Sequence, residues 1–166
     1  MDANQLRALQ APLKQSYRER PESALIPARA EVRLDPAALA CRVLGREGAV
    51  VAGLHPAAGG DGSLACSADL LLEALAACAG VTLLAVATAS GIGLRGGRVI
   101  AEGSWDARGT LGVDRAAPVG LTAIRLAFDL DCDADAAAQA RLVAMTERYC
   151  VILQTLKHPP EVTLAG

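Results

Sequence analysis

The chain is 166 residues long, has a formal net charge of −2, and is 52% hydrophobic but only 2% aromatic. That length fits one domain with a proper core, and the slight acidity, with no Lys/Arg stripe among aromatics, excludes a nucleic-acid backbone as main partner. A core so short of rings must be built from Leu, Val, Ile and Ala, which bury little area each and leave apolar surface for a partner subunit to cover.

The opening run, MDANQLRALQAPLKQSYRER, has scattered charges and no apolar h-region. It is not a secretory signal, and the cytoplasm is the expected location. Leu6, Leu9, Leu13 and Tyr17 fall on one side of a short amphipathic helix from Asn4 to about Arg18, which Pro12 delays or kinks. Such a helix cannot bury its stripe alone, so it should dock on the body or on a second subunit. The expected organisation is an N-terminal helical extension over residues 1–22 and one domain over 23–166.

Ser23–Leu34, Ala40–Leu44 and Gly48–Leu54 read as three short strands joined by turn residues, hence as antiparallel hairpins. His55–Ser63 is a loop by composition. Ser67–Gly91 then reads as one long helix. Ser67 is its N-cap, Asp69 suits the dipole of the first turn, and Gly91 supplies the left-handed residue past its end. Leu71, Leu75, Cys78, Thr82 and Leu83 share one face, and Leu72, Ala76, Ala79 and Val86 widen it. From Ala74 to Ala89 there is no charge, so the helix should be buried nearly all round. That uncharged run of 16 residues is short of the ~20 a membrane span needs, and Asp69 and Glu73 precede it, so a core helix is expected and no membrane.

A strand follows from Arg98 to about Arg108, holding the only tryptophan, Trp105. Gly109–Gly112 turns the chain. In Val119–Asp131, Ile124, Leu126, Phe128 and Leu130 alternate with Ala123, Arg125, Ala127, Asp129 and Asp131, which predicts a strand. Asp133 or Asp135 caps a second long helix from about Ala136 to Lys157, which His158-Pro159-Pro160 stops. Glu161–Ala165 reads as a last strand. Hairpin groups of strands, with no strict strand–helix alternation, make this an α+β fold with a largely antiparallel sheet.

Most motifs have structural explanations. Gly91-x-Gly93-x-x-Gly96 lies after a helix and before a strand, the reverse of a dinucleotide-binding turn. His55 and His158 precede prolines in loops and have no second ligand at metal-binding spacing, so a zinc site would have to be assembled from distant residues and surface histidines are expected instead. No serine sits in a G-x-S-x-G elbow. Five cysteines at irregular spacing make a poor disulfide framework. Cys41, Cys66 and Cys132 read as small hydrophobes. Cys78 and Cys150 differ: each sits in a long helix on or beside its apolar face, and two packed helices can bring such thiols within disulfide range.

The run Ser67-x-Asp69-Leu70-Leu71-Leu72-Glu73-Ala74-Leu75-Ala76-Ala77-Cys78 resembles the first signature of the OsmC/Ohr family of osmotically inducible and organic hydroperoxide resistance proteins. Tyr149-Cys150-Val151-Ile152-Leu153 resembles the second, and the loop from His55 to Asp61 resembles the family's lead-in to its first helix. The likeness covers roughly Leu25 to Ala165. It implies an intertwined homodimer, its sheets wrapped around two long central helices. It also implies a thiol peroxidase without cofactor, in which Cys78 attacks an organic hydroperoxide, Cys150 resolves the sulfenic acid as a disulfide, and an external dithiol reduces that bond. In the peroxidase branch an early-strand arginine activates the first cysteine, held by a glutamate ten residues before it. That place is Ala68 here. Asp69 is the nearest carboxylate, and Arg29, Arg33, Arg42 and Arg46 are the arginines of the early strands. The prolines common after each signature's lead residue are also missing, replaced by Ala68 and Val151. These departures point to an OsmC-like branch with an N-terminal helix. They keep open a non-catalytic dimer that binds a small apolar ligand, and a thiol redox sensor.

Overall fold

The computed structural model describes residues 2–27, 31–35, 40–44 and 50–165. Helix α1 spans Ala3–Glu19. The Asp2 carboxylate accepts from the N–H groups of Asn4 and Gln5 at 2.8 and 2.9 Å, and the Gln5 side chain accepts from the Asp2 N–H at 2.9 Å. This is a reciprocal capping box, and the helix includes Pro12 within its span. No residue of α1 is buried, and Leu9 and Leu13 are 60% and 51% exposed. Docking on the body of its own chain is thus not seen.

A 3₁₀ turn at Pro21–Ala24 takes the start of the expected first strand, of which β1, Glu31–Asp35, is the described part. Strand β2 spans Ala40–Leu44 and pairs antiparallel with β1, Arg33 opposite Arg42. Strand β3, Val51–Gly53, pairs antiparallel with β2. An unforeseen strand β4, Ala65–Cys66, pairs parallel with β3, so this sheet is not wholly antiparallel. The β3–β4 loop is tight at Gly60, where an added Cβ would stand 1.8 Å from the Leu54 carbonyl oxygen. Gly60→Ala should therefore lower stability by about 1–3 kcal/mol, read as a shift of the urea midpoint at unchanged slope.

Helix α2 spans Ser67–Ala89 and follows β4 directly, so Ser67 is its first residue and not the residue before it. Past its end, Ile92 N–H donates to Ala87 O at 2.9 Å and Gly91 N–H to Thr88 O at 3.2 Å, with Gly91 at φ 69°. That is the paired bonding of a Schellman motif. Strands β5, Leu94–Trp105, and β6, Leu121–Cys132, form the second sheet. Arg95 pairs with Asp131 at 2.6 Å, Arg98 with Asp129 at 2.5 Å and Arg125 with Glu102 at 2.8 Å, which sets an antiparallel register. A one-turn helix α3, Ala107–Thr110, capped by Asp106, lies between them.

The expected second long helix is two helices. Helix α4 spans Ala136–Tyr149 and α5 spans Val151–Lys157, with Cys150 extended between them at φ −74° and ψ 108°. Asp135 caps α4, accepting from the Ala138 N–H at 2.7 Å. The terminal segment after Pro160 forms no strand, and Val162 and Leu164 are 78% and 97% exposed. Pro159 and Pro160 have no N–H to start a ladder.

The described chain divides into two compact units, one of residues 1–26, 74–100 and 126–166 and one of 27–73 and 101–125. The first holds a core of Leu83, Ala87 and Leu142, with Val86, Ile92, Leu94, Phe128 and Leu130 packed on it. Only Leu75, Ala79, Leu83 and Ala87 of α2 are buried, one stripe at i+4 spacing. Burial nearly all round is therefore not achieved within one chain: Val81 is 69% and Leu84 57% exposed. With 23 residues and an 18-residue window of mean hydropathy 2.2, α2 is long and apolar enough to cross a membrane by length and composition alone.

Candidate active site

The break at Cys150 decides the chemistry of the first unit. Cys150 donates its N–H to Thr146 O at 2.9 Å, the last bond of α4, and Gln154 donates its N–H to Cys150 O at 2.9 Å, the first bond of α5. Between these bonds the N–H groups of Val151, Ile152 and Leu153 have no helical acceptor, and the carbonyls of Glu147, Arg148 and Tyr149 have no helical donor. The Gln154 side chain fills one vacancy, its Nε2 donating to Glu147 O at 2.7 Å. Lys157 ties the same turn of α4 through an ion pair with the Glu147 carboxylate.

The N–H groups of Ile152 and Val151 stand near the Cys78 sulfur. Cys78, half-buried on α2, lies beside Cys150, which is fully buried. Burial pushes the Cys78 thiol up. The Ile152 N–H, the Cys150 thiol, the Val151 N–H and the Thr82 hydroxyl together outweigh it, and Cys78 titrates below the ordinary cysteine range. Cys150 goes the other way. Burial raises it, and the Cys78 sulfur raises it further by accepting its proton and by charge, while the N–H groups of Leu153 and Ile152 pull it down. Cys78 is therefore the more acidic thiol of the pair, and Cys150 the less acidic one.

A family model described as OsmC-like protein matches residues 60–165. The chain belongs to the OsmC-like family. Solved OsmC-like folds superpose on it at low identity. An OsmC-like protein from Mycoplasma pneumoniae is 17% identical over 81% of this chain and 89% of its own, with a TM-score of 0.68. An OsmC-like protein of unknown function from Vibrio cholerae is 11% identical over 79% of this chain and 94% of its own, at 0.62. An organic hydroperoxide resistance protein OsmC from Legionella pneumophila, described as a predicted redox protein, is 15% identical over 81% and 93%, at 0.60. At these identities the likeness shows the fold. No curated protein matches the chain.

In this OsmC-like chain the structure brings Cys78 and Cys150 together. Asp69 is exposed in the first turn of α2, away from Cys78 along the helix. Arg33 lies in β1, and Arg29 lies outside the described residues. Sequence reasoning asked for a cation beside Cys78 and missed the donors found there: two backbone N–H groups and Thr82. Thr82, a hydroxyl four residues after a cysteine on one helix face, was legible as a neighbour. The N–H groups were not, because one continuous helix was expected. His55 is a loop cap: its Nδ1 accepts from the Ala57 N–H at 3.0 Å, and its ring meets Trp105 edge-on at 5.3 Å. Among the described residues no three His, Cys, Asp or Glu side chains gather as a metal site would need. A cleft of about 510 Å³ opens between α2 and β5, walled by Ala76, Ala77, Gly80, Leu84 and Val99. Cys78 is not on its wall.

Proposed function

We propose that the protein is a Cys-based organic hydroperoxide reductase. The observation that carries this reading is the pair of adjacent thiols with opposed acidities, Cys78 lowered and Cys150 raised from the ordinary cysteine range. In the first step the Cys78 thiolate attacks the distal oxygen of ROOH. The O–O bond breaks, the alkoxide takes a proton and leaves as ROH, and Cys78 becomes a sulfenic acid. In the second step Cys150 displaces hydroxide from that sulfur, its own proton completes a water molecule, and a Cys78–Cys150 disulfide forms. An external dithiol reduces the disulfide by exchange through a mixed disulfide and is itself oxidised. Such a cycle suits a reducing compartment such as the cytoplasm.

The proposal includes a homodimer, in which a second copy covers the exposed apolar face of α2. It needs no metal or bound cofactor, since sulfur carries both electrons. Thiol counting tests the redox reading. One equivalent of cumene hydroperoxide should remove a pair of thiols from the wild type, and mass spectrometry should find them joined as Cys78–Cys150. A wild type that loses thiols no faster than Cys78→Ser would overturn it in favour of a non-catalytic ligand-binding role.

A further inference from the structure

We propose that Gln154 is a positioning residue for Cys78: by donating to the Glu147 carbonyl it holds the chain open at Cys150 and keeps the N–H groups of Val151 and Ile152 turned to the Cys78 sulfur. The inference rests on reading Cys78 as the reactive thiol.

Were α4 to continue into α5, Glu147 O would accept from the Val151 N–H, one helical bond along the chain. Instead the Gln154 side chain occupies Glu147 O at 2.7 Å while its own N–H starts α5 on Cys150 O at 2.9 Å. One residue thus replaces the bond that would close the break and begins the helix beyond it. Nothing in the residue types at the break enforces it. Val151 is a tolerable helix residue with a free N–H, and Cys150 is not followed by proline, which would bar it from the helical region. Lys157 reaches Glu147 from the next turn of α5 and pulls the same two segments together. Both side chains of the pair are about half exposed, so it is a weak strap beside the part-buried amide contact. Without the Gln154 donor, a part-buried carbonyl is left wanting an N–H, and Val151 can supply one only by turning away from Cys78.

The groups that face Cys78 are the Thr82 hydroxyl on its own helix, the Cys150 thiol, and the N–H groups of Val151 and Ile152. None belongs to the Gln154 side chain, so Gln154 acts on Cys78 only through the backbone. Gln154→Met keeps length and volume but removes the donor. The pH profile of Cys78 alkylation by iodoacetamide should move up towards that of an ordinary cysteine, with at least threefold slower alkylation at pH 7. Adding Val151→Pro should undo most of this, because proline at the first position of α5 forces the break by itself and leaves the Ile152 N–H free. Circular dichroism and the urea midpoint report folding in parallel. A Gln154→Met profile that overlays the wild type overturns the proposal, as does a slowed profile that Val151→Pro leaves unchanged. If Gln154→Met fails to fold, the Val151→Pro background carries the test: there, proteins with and without Gln154→Met should alkylate alike, and a difference between them overturns the proposal. Alkylation needs no peroxide, so an inactive peroxidase and a wrongly placed Gln154 give separate results.

Discussion

At neutral pH, brief iodoacetamide treatment of the reduced protein should label Cys78 and largely spare Cys150. Only thiolate reacts, so the labelling rate follows the ionised fraction. The Ile152 and Val151 N–H groups, the Cys150 thiol and Thr82 favour the Cys78 thiolate against the cost of its burial, and its titration falls below that of an ordinary cysteine. Burial and the neighbouring Cys78 sulfur raise the Cys150 thiol above the ordinary cysteine range, and no part of it reaches solvent. The opposed directions give Cys78 the larger thiolate fraction at a pH below both values, so it should be labelled several-fold faster than Cys150. The sign follows from the direction of each shift. Labelling of Cys78 should be fast from below the usual cysteine range upward and should slow as the pH falls through its lowered value. Labelling of Cys150 should begin only above that range. Cys150→Ser weakens one donor to Cys78 and should move its profile up. Peptide mapping at several pH values checks this, and a Cys78 profile at or above that of a cysteine in an unstructured peptide would remove the case for an activated thiol.

The N–H donors near Cys78 are of another kind than the arginine that the resemblance implies. An arginine acts from a distance and leaves a signature in the residue types. Backbone N–H groups leave none, since every residue but proline has one. What the sequence did hold was the placement of Cys78 on the apolar helix with Thr82 one turn on. It also held Asp135 as a cap and Gly91 as the end of α2, each tied to a local hydrogen bond a side chain or glycine announces. The break at Cys150 was hidden because Thr146, Cys150, Val151 and Gln154 all suit a continuous helix locally. It becomes intelligible only when the partner of each freed carbonyl and N–H is named. Strand β4 was illegible for a related reason: two residues are too few for any periodicity. The loss of the expected C-terminal strand is the reverse case, in which a plausible apolar alternation met two prolines.

Light scattering should find the wild type at twice the 17.0 kDa of one chain, and Val81→Asp should be a monomer at the same concentration. Helix α2 buries Leu75, Ala79, Leu83 and Ala87 in its own chain and turns Ala77, Val81 and Leu84 outward, with Val81 69% and Leu84 57% exposed. An exposed apolar stripe of this kind on a soluble fold marks a surface that something covers. The small side chains around Val81, Ala77 on one turn and Ala85 on the next, allow a second helix to approach closely. An aspartate in such a contact is a buried charge without a partner, and it enters twice in a symmetric pair. A cost of about 4 kcal/mol corresponds to roughly a thousandfold weaker association, enough to dissociate a dimer at micromolar concentration. Two outcomes would sink the dimer: a wild type that runs as a monomer, or a Val81→Asp protein that keeps the wild-type mass. Fractionation adds a third arm, because a helix with an 18-residue window of mean hydropathy 2.2 is also apolar enough for lipid. Wild type recovered with membranes would assign the same face to a bilayer, and recovery in the soluble fraction at double mass assigns it to a second copy.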